Sequence, residues 1–265
     1  MTVEITTELI KELRDATGIS VMQCKRALEE AGGDMDKALA ILKKTSSDIA
    51  LKKAGREAKD GAVMVKSEGQ KTVLVALHCE TDFVSRNEDF TSLLSKLTDM
   101  ALQDGADKMK KQAKDMIDPV IQKTGEKIEL GEAYVVEGAI VGSYVHNNKI
   151  AVVVSLNGGS ADVAKDIAMH VSAMKPEFIS ASDIDENAKK TMTEVFEKEV
   201  AGVKKPEEIK KKILEGKMAT YFKERTLLDQ PFIKNPDATV AGLIEEATQK
   251  TGEKIEVARF ARFEI

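Results

Sequence analysis

The chain is poor in the residues that covalent and metal chemistry needs. It has two cysteines and three histidines in 265 residues, and no spacing among them matches a recognised metal cluster. Cys24 and Cys79 are also too few for a disulfide framework, so both read as reduced core thiols in a cytosolic protein. Long apolar runs are missing as well. Nothing approaches the ~20 residues needed to span a bilayer, and the opening MTVEITTELI lacks the basic and apolar regions of a signal peptide. The expected location is the cytoplasm, with no membrane partner. Glycine-rich phosphate loops are absent: GG at 32–33 and 158–159 stands isolated, without GxxxxGK(S/T) or GxGxxG, and no G-x-S-x-G elbow occurs. The balance of 40 basic against 45 acidic residues, net −5, offers no bulk attraction to nucleic acid phosphates or anionic lipid.

These absences argue against an enzyme and leave no cofactor or resident metal to assign. His78 beside Cys79 makes a weak nucleophile pair, because adjacent strand residues point to opposite faces. A small-molecule enzyme built on that pair remains a rival reading. His170, between Met169 and Val171 on an apolar helix, reads as a satisfied, partly buried histidine. His146, at a hairpin tip, is the better contact candidate.

What is present is enough for about two domains and a sizeable core: 42% hydrophobic and 32% charged residues, a soluble globular balance. The pattern predicts an α+β fold. Residues 1–54 read as a three-helix domain with its linker, with Thr7, Ser20 and Asp34 as helix caps and glycines at the helix ends. A bundle this small has a thin core and must lean on the rest of the protein or on a partner.

The remainder is organised by an internal repeat. QKTGEKIE occurs at 122–129 and again, identically, at 249–256. Each copy follows a helix and precedes a strand, with glycine available to cap the helix. Upstream, GAVMVKSEGQKTVLVAL (61–77) and GAIVGSYVHNNKIAVVVSL (138–156) both read as β-hairpins around a polar turn, each followed by an apolar-periodic helix. The repeated unit is therefore hairpin, helix, helix, strand, one copy over 55–140 and the other over 141–179 and 228–265. Between the two helices of the second copy lies an extra segment, 180–227, with one apolar stripe per helix: an inserted antiparallel helical hairpin, whose stripe suggests a partner or self-association.

The repeat also serves as an internal control. From Leu156 to the expected helix cap Ser160 there are four steps; from Leu77 to Ser85, expected to form a capping box with Glu88, there are eight. The first copy thus carries about four extra residues, which include Asp82 and Phe83, within HCETDFVSRNEDF (78–90). Phe83 either folds back onto its own core, with Asp82 in a local turn, or stands out as a wedge for a partner's crevice. Pattern alone does not choose.

IKELRDATGISVMQCKRALEEAGGDMDKA, HCETDFVSRNEDF, GSYVHNNKIAVVV, IAMHVSAMKPEFI and LLDQPF together make the chain resemble the bacterial elongation factor Ts family over essentially its whole length. The resemblance implies a guanine nucleotide exchange factor for elongation factor Tu that performs no covalent catalysis and acts by displacing Mg²⁺ from its partner. It implies a ubiquitin-associated-like N-terminal domain whose contact surface matches Leu13, Val21, Met22 and Lys25; Val21 stands where some members have methionine. The family's TDFV motif, here Thr81, Asp82, Phe83 and Val84, enters between two helices of Tu's nucleotide-binding domain. His146 and the turn of Thr124 and Gly125 would face Tu's third domain, and the inserted hairpin mediates homodimer contacts in some members. Some members also continue past the RFE strand into a C-terminal helix, whereas this sequence stops at Ile265. A helical adaptor for ubiquitin-like proteins or peptides is the other rival.

Overall fold

The computed structural model describes residues 5–265. Three helices come first: α1 (Thr7–Thr17), α2 (Val21–Glu30) and α3 (Met35–Lys53). Ser20 and Asp34 cap α2 and α3 as expected, accepting from the amides of Gln23 and Lys37. The cap of α1 is Thr6 and not Thr7: Thr6 is extended and takes the Leu9 amide, so Thr7 is already the first helical residue. Leu13, Ile19, Cys24, Ala27, Leu28, Ala38 and Leu42 form the small core of this bundle.

So thin a core needs support, and α3 supplies it by running well past the bundle. It packs along α6 (Ala106–Thr124). There Lys43 Nζ lies 2.8 Å from Asp115, Ser47 Oγ donates to Asp118 at 2.7 Å, and Ser46 hydrogen-bonds Gln122.

The first hairpin is β1 (Asp60–Glu68) and β2 (Lys71–Cys79), in register from Asp60↔Cys79 to Glu68↔Lys71. The sheet order is β1-β2-β3, with β3 at Ile128–Glu137. β2 is central, which explains why its side chains from Thr72 to Leu77 are buried on both faces and read as a continuous apolar run. Against it pack α5 (Glu88–Asp104) and α6, through Phe90, Leu93, Leu94, Leu97, Met109, Ile117 and Ile121.

One local expectation fails between β2 and α5. Residues Asp82–Ser85 form a single helical turn, α4. Helix α5 begins at Glu88 under an Asn87 cap that accepts the Asp89 amide at 2.8 Å. Ser85 cannot serve as that cap, because it is buried inside α4 with its hydroxyl donated to the Asp82 carbonyl.

By density of contacts the chain divides into two units. One takes in the chain through Val135 with Asn147–Ile150 and Phe263–Ile265; the other comprises Val136–His146 and Ala151–Arg262. The second contains β4 (Ile140–His146), most of β5 (Ile150–Asn157) and most of β8 (Glu256–Glu264), in the order β4-β5-β8. It also contains α7 (Ala161–Met174) and α10 (Val240–Thr251). The turn between β4 and β5 has Asn147 and Asn148 at φ 51° and 56°, the left-handed pair that a two-residue hairpin requires and asparagine tolerates.

Within the insertion, α8 (Glu186–Ala201) and α9 (Glu207–Arg225) pack together. The cross-contacts Phe196–Tyr221 and Glu199–Lys217 run in opposite directions along the two helices, so the pair is antiparallel. Pattern reading overlooked a short hairpin, β6 (Pro231–Phe232) and β7 (Asn235–Thr239). Strands of two and five residues with two prolines carry too little alternation to register.

Candidate functional site

The four extra residues of the first copy present the most exposed large apolar side chain among the described residues. Phe83 is 84% exposed, while Val84 beside it is turned into the core and Ser85 is buried. A single helical turn produces this division by pointing consecutive side chains about 100° apart. Its own backbone bond is modest, Ser85 N–H to the Thr81 carbonyl at 3.2 Å. Asp82 lies 3.2 Å from the Arg86 guanidinium, one turn on.

The turn is braced on both sides. Thr81, its N-cap, makes no capping bond of its own. Instead its amide and hydroxyl donate to the two carboxylate oxygens of Glu126, at 3.0 and 2.7 Å. One residue earlier, Glu80 accepts the Lys127 amide at 2.6 Å and the Arg56 guanidinium at 3.2 Å. The Lys127 amide, then Arg56, hold the Glu80 carboxyl below its ordinary value. On the other side, Lys149 Nζ donates to Asp60 and to the Gly61 carbonyl, both at 2.6 Å, and reaches Ser85 Oγ at 3.4 Å. Burial pushes the Asp60 carboxyl up, but hydrogen bonds from Lys149 and the Gly61 amide outweigh it and leave the group below its usual value.

The thiol beside this turn is not poised for bond making. The Cys79 thiol is buried and donates to the Thr81 carbonyl at 3.2 Å. Burial first, then the charges of Asp60 and Glu126, push it up to about 12, which leaves essentially no thiolate near neutrality. Among the described residues, no group of three or more His, Cys, Asp or Glu side chains could hold a metal. No helix there is long and apolar enough to cross a membrane.

The structure brings some predicted residues together and separates others. Thr81, Asp82, Phe83 and Val84 share one turn with the Thr124–Gly125 corner beside it, where Gly125 adopts φ 76° as the cap of α6. That corner braces the turn of Phe83, through the bonds of Lys53 Nζ to the Gly125 carbonyl and of Thr81 to the Glu126 carboxylate. Val84, expected to touch a partner, is spent on the core. Leu13 corrects a second expectation: it has no exposed surface and is a core residue of the bundle. Val21 and Met22 are exposed on α2, and Lys25 pairs with Glu29 at 3.8 Å. His146 ends β4 in the other unit, its Nδ1 3.0 Å from the Tyr144 hydroxyl.

Sequence reading missed Glu80, Glu126, Arg56 and Lys149. The identical TGEKIE in both copies marked Glu126, but its partner lies 45 residues away, a pairing no local pattern shows.

His170 is fully buried, as a core histidine, and its surroundings explain LLDQPF. Ile233 N–H donates to its Nδ1 at 3.2 Å, so Nε2 carries the proton and donates to Gln230 Oε1 at 2.9 Å. The Gln230 amide nitrogen in turn donates to the carbonyls of Glu224 and Met174, at 2.6 and 3.3 Å. Gln230 thus ties α7 to the end of α9.

Fold and site define a class: an α+β protein that presents an aromatic side chain on a braced helical turn. The sequence model of the family described as "Elongation factor TS" matches residues 80–265, beginning two residues before that turn. Elongation factor Ts of Cellvibrio japonicus is 41% identical over 96% of this chain and 93% of its own. That of Hahella chejuensis is 39% identical over 92% and 87%, and that of Prosthecochloris aestuarii 35% over 99% and 99%. The chain belongs to the elongation factor Ts family, the nucleotide exchange factors of translation elongation.

Proposed function

We propose that the chain binds elongation factor Tu carrying GDP and speeds release of the nucleotide by inserting the Asp82–Phe83 turn beside the partner's Mg²⁺ and phosphate site, in the cytoplasm. The observation that supports this is the 84% exposure of Phe83 on a turn fixed from both sides. A turn whose backbone is already braced in the free protein loses little backbone entropy on docking, so more of the burial energy of its apolar side chain remains for the partner. Phe83 fills an apolar gap between partner helices, and Asp82 competes for polar groups there, which shifts those helices and loosens the phosphate and Mg²⁺ contacts.

Energetics limit what the wedge can do alone. Burying one Phe is worth about 1.5–3 kcal/mol, roughly a tenfold to hundredfold change in an equilibrium. The remainder comes from Val21, Met22 and Lys25 on α2, from the Thr124–Gly125 corner and from His146. Because the factor prefers nucleotide-free Tu, nucleotide rebinding weakens the complex by the same ratio and releases the factor. The α8–α9 hairpin, which exposes Val195 and Ile209, is the surface assigned to homodimerisation.

The test is stopped-flow release of fluorescent GDP from Tu. Phe83→Ala should slow factor-dependent release at least about tenfold, the lower end of that burial energy. A Phe83→Ala rate equal to wild type sinks the proposal.

A further inference from the structure

We propose that Glu126 is a positioning residue for nucleotide exchange: its carboxylate holds Thr81 and thereby aims the helical turn that carries Phe83. The proposal rests on the reading of Phe83 as the group that enters the partner, and goes beyond it by naming what holds that group in place.

A four-residue helix cannot hold its own direction, because one turn fixes many dihedrals for a single backbone bond. The direction of α4 is therefore set by its anchors. At its C-terminal side these are the buried Val84 and Ser85, with Lys149 at 3.4 Å. At its N-terminal side they are the two bonds from Thr81 to Glu126, at 3.0 and 2.7 Å. Thr81 gives Glu126 both donors it has, and no side-chain capping bond competes for them.

Glu126 is itself held in place. Gly125 fixes the corner in the left-handed conformation, and the Glu126 amide reaches Thr124 Oγ1 at 3.4 Å. The adjoining Lys127 amide is taken by Glu80 at 2.6 Å. The strand end at 80–81 and the corner at 126–127 are thus joined reciprocally: each side offers a carboxylate to a backbone N–H of the other. Such charge-assisted bonds are the shorter and stronger kind.

The second copy is a control within the same molecule. Glu253 occupies the place of Glu126 in the repeated TGEKIE and reaches the Gly159 amide at the corresponding joint, but with one bond of 3.4 Å. That joint carries no inserted aromatic. The corner-to-joint contact belongs to the repeat, and the copy bearing the wedge has it doubled and shortened.

The experiment follows GDP release from Tu with the full chain and its variants Glu126→Ala, Glu126→Gln, Thr81→Val, Phe83→Ala and the double variant Glu126→Ala/Phe83→Ala. The saturating rate is separated from the half-saturating concentration, and amide hydrogen exchange over 81–85 is read on the free proteins. Glu126→Ala should raise exchange at 81–85 and lower the saturating rate about tenfold, as expected for loss of hydrogen bonds to a charged group. Glu126→Gln should stay within about threefold of wild type, since its amide oxygen accepts the Thr81 amide while its NH₂ donates to Thr81 Oγ1. Should Glu126→Ala disturb the fold, Thr81→Val, which removes one hydroxyl bond at similar volume, carries the test and should slow release in the same direction.

The double variant should be no slower than Phe83→Ala. A double variant slower by the full Glu126→Ala factor would mean that Glu126 acts through a separate contact, and the positioning role fails. If Phe83→Ala is slow while Glu126→Ala and Thr81→Val match wild type, the positioning role is overturned and the wedge survives. If Phe83→Ala matches wild type, the wedge reading itself is overturned, and Glu126 with it.

Discussion

Phe83 and Phe90 are the same side chain seven positions apart, and truncating each to alanine should give opposite stability results. Phe90 is 0% exposed beneath the first sheet; Phe83 is 84% exposed. Fully burying a Phe side chain is worth about 1.5–3 kcal/mol. With roughly one sixth of its surface covered, Phe83 contributes only about 0.2–0.5 kcal/mol on that scale. Alanine's better helix propensity returns a few tenths of a kcal/mol in α4. Phe83→Ala should therefore leave the thermal midpoint within about 2 °C of wild type. Phe90→Ala loses transfer energy and leaves a cavity, at a cost of about 3–5 kcal/mol, which lowers the midpoint of its unit by about 6–20 °C for a protein of this size. Calorimetry and denaturant titration of the two variants side by side decide the matter. A Phe83→Ala loss comparable to that of Phe90→Ala would refute the reasoning, because Phe83 would then pack on its own protein.

Two further outcomes follow from buried groups. His170 is held neutral by a donor at Nδ1 and an acceptor at Nε2, and burial lowers its pKa while the Gln230 bond opposes this in part. Below an unfolded-state pKa of about 6.5 the unfolded chain binds a proton that the folded chain refuses. The contribution is thus present above that pH and lost as pH falls, by at most about 1.4 kcal/mol per pH unit. Stability curves of wild type and His170→Gln between pH 7.5 and 5, taken as about two units around that value, should differ in slope; parallel curves reject the assignment. Cys79, with its thiol at about 12, should resist alkylation of the folded protein at about pH 8 and react once the chain is unfolded, because the thiolate is the reactive species. Stoichiometric labelling of Cys79 in the native state would contradict its burial.

The brace around α4 gives the first unit a division of labour. Carboxylates at 80 and 126 hold the backbone and the ammonium at 149 reaches the Ser85 hydroxyl, and the one large apolar side chain on the turn is left uncommitted. Its neighbours Val84 and Ser85 complete the core, which is why the motif cannot be read as four equivalent contact residues. The α2 surface of Val21 and Met22 and the hairpin-end His146 stand on other elements.

The sequence by itself determined the longer elements, the repeat and the site of the insertion, because these depend on local periodicity, on caps such as Ser20, Asp34 and Ser160, and on glycines at 125 and 252 that end helices in the left-handed conformation. The motif resemblance marked Phe83. Which way Phe83 pointed, that Val84 and Leu13 were core residues, and that Ser85 was not a cap were decided only by tertiary structure. A side chain's burial depends on what distant segments bring against it: Glu126 reaches Thr81 across 45 residues, and Lys149 reaches Ser85 across 64.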